Sequence, residues 1–283
     1  MKNIALLIKP DNNKAVSLAM ESIDILIDKG CRIFIGEHEK QNIGEHNNVI
    51  YTNESRLFNN AECVVVFGGD GTIMRTAHKT ELPILSVNLG RIGYMAELEP
   101  DELHLLNELV YDNFIIEDRM MLSCSVYSEG VEVSKPVISL NDIVLSKGSY
   151  SIMPEIEVTC NGEEVGRYFE DGLICATPTG STAYSLSAGG SIVDPGMECF
   201  CVSHICPQSF YAKPMIFKGD SVLRFRKGKR GHGRLLLVSD GEFVKEIEDN
   251  DVVTVKKSTR ATKLIKIKKN DFYSVMNSKM TDI

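Results

Sequence analysis

Four short apolar runs, each followed by a polar or glycine-containing turn, constrain the fold of this chain more than any other feature. They are Ile4–Ile8, Cys31–Ile35, Cys63–Phe67 and Pro83–Val87. Segments with hydrophobic residues at helical spacing separate them, as in Val16–Ile27. Continuous apolar strands divided by helices are typical of parallel sheets covered on both faces. The first hundred residues therefore predict a doubly wound, Rossmann-like α/β domain whose ligands bind beyond the carboxyl ends of its strands.

The pattern changes near Arg119, where short alternating segments with turn signals take over. Met121–Tyr127, Val137–Leu145 and Ile156–Cys160 are examples. A single helical candidate, Ser181–Ala188, interrupts them, with Ser181 or Thr182 as the expected N-cap. This half predicts a mainly antiparallel β-sandwich.

These two patterns place the domain boundaries. We expect an α/β domain over residues 1–118 and a β-sandwich domain over residues 119–263. The C-terminal segment 264–283 contains a short helical pattern, Asp271–Met276, and is expected to pack back on the first domain.

Composition excludes several function classes. The 283 residues are 43% hydrophobic and 25% charged, and the net charge of −8 argues against a nucleic-acid partner. The basic run Arg224–Arg234 is expected to be an exposed hairpin tip. No apolar run reaches the roughly 20 residues of a membrane span, and no export signal is evident. The eight cysteines are expected to be reduced and mostly buried, in a cytoplasmic protein without a membrane partner.

The turn Gly68–Thr72, with the sequence GGDGT, is the first candidate for chemistry. Glycines let the backbone approach a ligand closely, and the turn leads from a strand into a helix N-terminus, which suits a phosphate. An aspartate inside an anion cradle is repulsive unless Asp70 takes a proton from an attacking hydroxyl or faces a metal ion that bridges phosphates. The alternative is a tight turn in which Asp70 and Thr72 only cap the helix.

The second candidate is the segment Asp171–Tyr184, where an apolar strand leads into the hydroxyl-rich string TPTGST. Hydroxyl groups at this density suit ribose or phosphate, and Tyr184 offers a stacking face for a base. The alternative is a capped helix entry whose hydroxyls only satisfy backbone groups. A third cluster, Cys199–Cys206, has no common zinc spacing and is expected to be a buried strand.

The two segments, in this order, resemble the NAD kinases, which phosphorylate the adenosine-ribose 2′-hydroxyl of NAD with ATP. GGDGT alone also occurs in lipid kinases and phosphofructokinases, whereas TPTGSTAY followed by SLSAGG is typical of NAD kinases. The resemblance extends over most of the chain through further matching segments, namely Asn88–Tyr94, Leu140–Asp142, Ile205–Gln208, Lys213–Pro214 and Val238–Gly241.

The resemblance implies a role for each matching residue. Asp70 corresponds to the carboxylate that activates the 2′-hydroxyl. The remaining candidate nucleotide-binding residues are the phosphate-side Gly68, Gly69, Gly71 and Thr72; Asn88 and the adenine-pocket Tyr94; the ribose-binding Asn141 and Asp142; Asp171 near the nicotinamide end; and Thr179, Thr182, Ala183, Tyr184 and Ser187 along the dinucleotide wall.

The resemblance also implies the substrates ATP and NAD, a divalent metal ion (Mg²⁺ or Mn²⁺) and a homo-oligomer, a dimer or tetramer; some members accept polyphosphate. Two positions depart from the family pattern: Asp142 stands where many relatives have Glu, and Ser86-Val87 replaces a glycine-containing step. A lipid or sugar kinase would lack TPTGSTAY, and a non-catalytic dinucleotide-binding regulator would be expected to lack Asp70.

Overall fold

The computed structural model describes residues 1–90, 93–148, 152–230, 233–268 and 272–281. The chain forms two compact units, Met1–Asp118 with Thr262–Ile283 (the first unit) and Arg119–Ala261 (the second unit). The strands are β1 Asn3–Ile8, β2 Arg32–Gly36, β3 Val49–Thr52, β4 Cys63–Phe67, β5 Ile84–Val87, β6 Ile115–Ser128, β7 Val131–Glu132, β8 Val137–Ser139, β9 Asp142–Lys147, β10 Glu155–Cys160, β11 Glu163–Phe169, β12 Gly172–Ala176, β13 Cys199–Ile205, β14 Met215–Lys218, β15 Leu223–Lys227, β16 Leu235–Ser239, β17 Glu242–Ile247 and β18 Asp251–Lys266. The α-helices are α1 Asn13–Asp28, α2 Lys40–Ile43, α3 Asp70–Lys79, α4 Asn107–Val110, α5 Tyr184–Ser187 and α6 Phe272–Thr281, and 3₁₀ helices cover Glu37–Glu39, Glu54–Arg56, Pro100–Leu106 and Thr179–Thr182.

The first unit is built on a parallel sheet in the order β5-β4-β1-β2-β3, so the predicted α/β architecture is confirmed. The end of β18 joins β5 in parallel, with Leu264 opposite Ile84. The chain moves outward from β1 to β3 and then returns to β4 on the other side of β1. This reversal lies between the carboxyl ends of β1 and β4, where open α/β sheets bind ligands.

Helix α1 covers one face of this sheet, and most of its buried stripe lies one position before the apolar residues whose helical spacing predicts the helix, which are Val16, Met20, Ile23 and Ile27. Met20 is exposed, whereas Ala15, Ala19 and Ser22 are fully buried beside Ile23. Small side chains let the helix lie close to the strands, which turns the apolar stripe by about one position. The Asn12 side chain caps the helix by accepting from Ala15 N at 2.9 Å.

The second unit packs two antiparallel sheets face to face, and this confirms the predicted β-sandwich. One sheet contains β11-β10-β15-β18 with β6 paired to β18, and the other has the order β14-β13-β12-β9-β16-β17. Their inner faces share one core, to which Val158 and Phe225 contribute from the first sheet and Leu145 and Leu173 from the second. The alternation of inward and outward residues is that of a sandwich.

Two local predictions in this unit are wrong. The segment Val137–Leu145 is not one strand, because a turn at Leu140-Asn141 divides β8 from β9. Ser181–Ala188 is not one capped helix either: a 3₁₀ turn is followed by the single-turn α5, whose N-cap Ala183 carries no side-chain bond. The Ser181 hydroxyl instead donates to the Pro178 carbonyl at 2.6 Å and accepts from Val193 N at 3.0 Å, and such local bonds compete with a helix.

The remaining expectations concern the basic run, the cysteines and the chain end. Within the basic run Arg224–Arg234, residues Arg224–Lys227 belong to strand β15, and Gly231 and His232 lie outside the described residues. Arg91 and Ile92, from the matching segment Asn88–Tyr94, and Asp271, from the C-terminal helical pattern, also lie outside the described residues. All eight cysteines are free thiols, and Cys206 is the exposed one. Within the described ranges, every helix is too short or too polar to cross a membrane.

Candidate active site

The GGDGT turn connects the buried strand β4 to α3 at the carboxyl edge of the parallel sheet. Gly69 is the N-cap residue of α3 and has no side chain that could cap the helix. Its backbone carbonyl accepts a hydrogen bond from Thr72 N at 2.8 Å. A Cβ atom on Gly68 would lie 2.4 Å from the Thr72 hydroxyl oxygen, so only glycine fits there. The turn therefore presents the backbone of a helix N-terminus, where N–H groups attract anions.

Asp70 is the first residue of α3, but its side chain does not cap that helix. Its carboxylate accepts from Tyr94 N at 2.8 Å and from Met95 N at 3.1 Å. A Cβ on the neighbouring Gly93 would lie 2.3 Å from Asp70 Oδ1. The loop thus wraps closely around the carboxylate, and the interpretation of Asp70 as a mere cap is wrong.

The Ser86 side chain anchors the loop that contains Tyr94 and Met95. Its hydroxyl donates to the Met95 carbonyl at 3.2 Å and accepts from Glu97 N at 3.0 Å, and both bonds are buried. The buried Glu97 in turn accepts from Ile267 N at 2.8 Å and Lys268 N at 2.7 Å. The departure from the family pattern at Ser86 therefore supplies a hydroxyl that supports the loop bonded to Asp70.

Two further predicted residues lie in the same unit. Asn88 is buried, and its amide donates to the Glu99 carboxylate at 3.1 Å while its oxygen accepts from Gly90 N at 3.3 Å. Tyr94 is half-buried, with its ring centroid 6.3 Å from that of Phe272 on α6. Asn88 thus shapes the turn after β5, whereas Tyr94 keeps an accessible ring beside the Asp70 loop.

In the second unit, the TPTGST segment is bonded to the turn between β8 and β9. The buried Thr177 hydroxyl donates to the Leu140 carbonyl at 2.6 Å and accepts from Gly180 N at 2.9 Å. Thr177 N donates to the Asn141 carbonyl at 2.8 Å. These bonds bring the Asn141-Asp142 pair and the hydroxyl-rich segment together.

Asp142 is a buried carboxyl group that binds its proton more tightly than an ordinary aspartate does. Burial, together with the negative charge of Asp240, raises the pKa of Asp142 from 3.8 to about 7. A protonated carboxyl can donate a hydrogen bond, whereas the ionised form only accepts. Near neutral pH this position can therefore act as a donor to a ribose hydroxyl or as an acceptor from one.

Asp171 lies at the other end of strand β12. Its carboxylate pairs with Lys147 Nζ at 2.8 Å, and it is partly exposed. The preceding Glu170 points into the interior and bonds to His204 across 2.6 Å, with both side chains almost fully buried. Burial raises the pKa of Glu170, while the bond from His204 opposes that shift.

The remaining predicted residues form the surface that follows TPTG. The Thr179 hydroxyl oxygen lies 3.4 Å from the buried Arg119 guanidinium, which donates to it, and the Thr182 hydroxyl donates to the Thr179 carbonyl at 3.2 Å. Ala183 is half-buried, and Tyr184 and Ser187 are exposed. Tyr184 therefore leaves an aromatic face available for stacking.

The described residues offer no cage of side chains for a metal ion. No group of three or more His, Cys, Asp or Glu side chains converges anywhere in the described ranges, the Cys199–Cys206 stretch included. A magnesium ion bound mainly by substrate phosphates, water and one or two carboxylates does not require such a cage. The Asp70 carboxylate fits the role of a single protein ligand of that kind.

Three residues that organise these sites have no individual role in the site predicted from the sequence. Asp240 accepts from the backbone N–H groups of Leu140, Asn141 and Asp142, Ser86 supports the Asp70 loop, and Thr177 joins two segments. A usable signal existed for Asp240, because an Asp-Gly pair directly after an apolar strand indicates a tight turn. Which backbone groups that carboxylate would receive depends on packing between distant segments.

Comparisons with known proteins match both halves of the chain. Residues 4–114 match the family model of the ATP-NAD kinase N-terminal domain, and residues 140–267 match that of the ATP-NAD kinase C-terminal domain. The NAD kinase of Caldanaerobacter subterraneus subsp. tengcongensis is 34% identical over 286 residues and covers 100% of both chains. The NAD kinase of Syntrophotalea carbinolica is 33% identical over 284 residues, covering 99% of this chain and 98% of its own.

Two solved structures are similar along nearly the whole chain. Yeast NADH kinase in complex with NADH superposes with a TM-score of 0.90 at 25% identity, covering 99% of this chain and 88% of the other. The NAD kinase from Archaeoglobus fulgidus in complex with ATP superposes with a TM-score of 0.74 at 26% identity and covers 99% of both chains. With both domain models matched and full-length relatives above 30% identity, the chain belongs to the ATP-NAD kinase family.

Proposed function

We propose that this protein is an ATP-dependent NAD kinase, which transfers the terminal phosphoryl group of ATP to the adenosine-ribose 2′-hydroxyl of NAD and releases NADP and ADP. Full-length similarity to NAD kinases supports the reaction class. The observation that carries the proposal for this chain is the Asp70 carboxylate, held by two backbone N–H groups in a glycine turn at the sheet edge.

In this mechanism Asp70 acts as the general base. The two backbone bonds use two of the roughly four lone-pair positions of a carboxylate, so a position remains for a substrate hydroxyl. The 2′-oxygen bonds to the γ-phosphorus, the bond from that phosphorus to the β,γ-bridging oxygen breaks, and the hydroxyl proton passes to Asp70. Gly68, Gly69, Gly71 and Thr72 supply backbone and hydroxyl donors on the phosphate side.

The second unit supplies the dinucleotide-holding groups in this proposal. Asn141 and Asp142 bind the adenosine ribose, and Asp171 lies toward the nicotinamide end. Tyr184 stacks on a base, with Thr182, Ala183 and Ser187 beside it. The bonds that join Thr177 to Leu140 and Asn141 support this assignment, because they fix the two motifs relative to each other.

Three finer features complete the proposal. A divalent ion, Mg²⁺ or Mn²⁺, would be held by the ATP phosphates with Asp70 as a protein ligand, and when bound it neutralises the charge of the transferred group. The protein is proposed to be a cytoplasmic homo-oligomer, a dimer or tetramer. Free thiols throughout the described chain support a reducing compartment. Sedimentation velocity of the purified chain measures the oligomer directly.

The primary test is an assay for NADP after incubation of the purified protein with NAD, ATP and either Mg²⁺ or Mn²⁺. The expected result is NADP formation that requires ATP and a divalent ion. No NADP with either metal, together with normal NAD binding in calorimetry, would contradict the proposal and indicate a dinucleotide-binding regulator.

Asp70→Asn tests the base. We expect kcat to fall by about 10²–10⁴-fold, the usual contribution of a positioned base, while calorimetry shows unchanged NAD affinity. The amide NH₂ also faces a backbone N–H, so thermal unfolding should show a loss of about 1–3 kcal/mol. Asp24→Asn, an exposed aspartate on α1, is the matched control and keeps wild-type turnover. A folded Asp70→Asn protein with near-normal kcat overturns the assignment.

A further inference from the structure

Strands β16 and β17 are joined by a tight turn that contains Asp240. The side chain of Asp240 contacts the turn Leu140–Asp142, which carries the proposed ribose-binding residues. We propose that Asp240 is a positioning residue for the dinucleotide substrate: its carboxylate binds the backbone of Leu140–Asp142 and so fixes where the Asn141 and Asp142 side chains lie. This inference rests on the proposed role of Asn141 and Asp142 in binding the ribose.

Three backbone N–H groups converge on this one carboxylate. Leu140 N donates to Oδ2 at 2.7 Å, and Asn141 N and Asp142 N donate to Oδ1 at 2.8 and 3.0 Å. Asp240 N returns a bond to the Asp142 carbonyl at 3.0 Å. Bonds to an ionised acceptor are about twice as strong as neutral ones, so the carboxylate determines the path of the turn.

The backbone of Asp240 adopts a left-handed conformation, which residues other than glycine rarely adopt. Its φ is +46°, and the following Gly241 has a φ of +83°. A left-handed non-glycine residue persists only where its surroundings favour it, and aspartate is among the residues that tolerate it. Both φ values are those of a two-residue type I′ hairpin turn between β16 and β17, for which Asp-Gly is a favoured pair, and in this turn the Asp240 side chain is buried against the Leu140–Asp142 backbone.

Other contacts hold the same turn from the opposite side. Thr177 bonds to the carbonyls of Leu140 and Asn141, so one segment holds the acceptors of the turn while Asp240 holds its donors. The Ser239 hydroxyl lies 2.6 Å from that of Ser139, just before the turn. Loss of Asp240 would leave three buried or half-buried N–H donors without this acceptor, and the turn could rotate about its contacts to Thr177.

Asp240 also acts on Asp142 through its charge. Among the described residues, the titratable groups that face Asp142 are Asp240, directly after β16, and Cys175 on the neighbouring β12, whose burial raises its pKa well above 9.0. Cys175 is therefore neutral, and Asp240 is the charge that opposes ionisation of Asp142. Removing it should lower the pKa of Asp142, an effect that a purely structural role would not produce.

The experiment compares Asp240→Asn with two reference variants of the full chain. Asp251→Asn is the structural control, because Asp251 is likewise buried in the second unit and accepts a backbone N–H, from Glu248 at 3.2 Å. Asn141→Ala tests the proposed ribose contact on which the inference rests. KM for NAD, KM for ATP, kcat and the pH profile of kcat/KM for NAD are measured for each.

For Asp240→Asn we expect KM for NAD to rise by about 10- to 100-fold, the equivalent of one charge-assisted bond, with KM for ATP within about twofold of wild type. The inflection of the pH profile near 7 should move to lower pH. Asp251→Asn should change only thermal stability, and Asn141→Ala should raise KM for NAD.

The outcomes separate the two proposals. If Asn141→Ala leaves KM for NAD unchanged, the ribose assignment fails and the positioning role fails with it. If Asn141→Ala raises KM but Asp240→Asn behaves like Asp251→Asn, only the positioning role is overturned. If Asp240→Asn does not fold, Asp240→Glu takes its place, because it keeps the charge but moves it by about 1.5 Å. A raised KM for NAD with an unchanged inflection in the pH profile of kcat/KM then supports the inference, and a wild-type KM overturns it.

Discussion

Replacing Gly180 by alanine should disable NAD binding through a steric clash that can be measured on the structure. A Cβ at this position would lie 2.0 Å from the Asn141 carbonyl oxygen, whereas ordinary contacts begin at 3.4 Å. One of the two segments must therefore move by about 1.4 Å. Gly180 N is bonded to the buried hydroxyl of Thr177 in the same segment, which resists a local shift of Gly180 away from Asn141, so we expect the Asn141 turn to be displaced.

The magnitude follows from that displacement. A misplacement of about 1 Å in a substrate-positioning group lowers activity by about 10²-fold, so kcat/KM for NAD should fall at least that far. Overpacking of a buried position also costs about 1–3 kcal/mol of stability, which urea denaturation measures. Gly196→Ala is the control, because Gly196 is exposed and the nearest atom to its Cβ position is a side-chain oxygen of Asp194, at 3.2 Å, rather than backbone. A Gly180→Ala enzyme within threefold of Gly196→Ala in kcat/KM would refute the reasoning.

Two further predictions concern buried ionisable groups. His204→Leu leaves the buried Glu170 carboxylate without its bonded partner, so urea denaturation at pH 8 should show a loss of about 3–5 kcal/mol that shrinks toward pH 5, where Glu170 can take up a proton. A loss independent of pH would contradict this account, and a Glu170→Gln/His204→Leu double variant should recover much of the stability. Because the pKa of Asp142 is about 7 in the folded protein and 3.8 as a free side chain, the folded state holds an extra proton between these values, and stability falls as pH rises through this window. Relative to Asp142→Asn, the free energy of unfolding of the wild type should fall by up to about 1.4 kcal/mol per pH unit from roughly pH 4 to 7, and should not fall further above pH 7. Parallel pH dependences of the two proteins would exclude the raised pKa.

Much of the fold was predictable because its signals are local. Continuous apolar runs such as Cys63–Phe67 identify buried parallel strands, and the change to alternation near Arg119 identifies the sandwich. The errors arose where distant groups override local propensity. Val137–Leu145 reads as one strand, yet Asp240, about a hundred residues later, draws three of its N–H groups into a turn.

The candidate site divides in the same way. Glycines and hydroxyls close together in sequence identified the Asp70 turn and the TPTGST segment. The partners of those groups could not be read from spacing: the bonds from Tyr94 and Met95 to Asp70 depend on a loop that Ser86 anchors. The raised pKa of Asp142 is likewise a property of burial beside Asp240, and a sequence does not display burial of a particular carboxyl.

The pairing of β5 with the end of β18 has a consequence during synthesis on the ribosome. Ile84 and Leu264 are 180 residues apart, so the N-terminal sheet lacks this partner strand until the whole second unit has been translated. At about 5–20 residues per second, that interval is roughly 10–35 s. Throughout this interval the unpaired edge of β5 is open to pairing with other nascent chains, so a chaperone that covers this edge would reduce aggregation during synthesis.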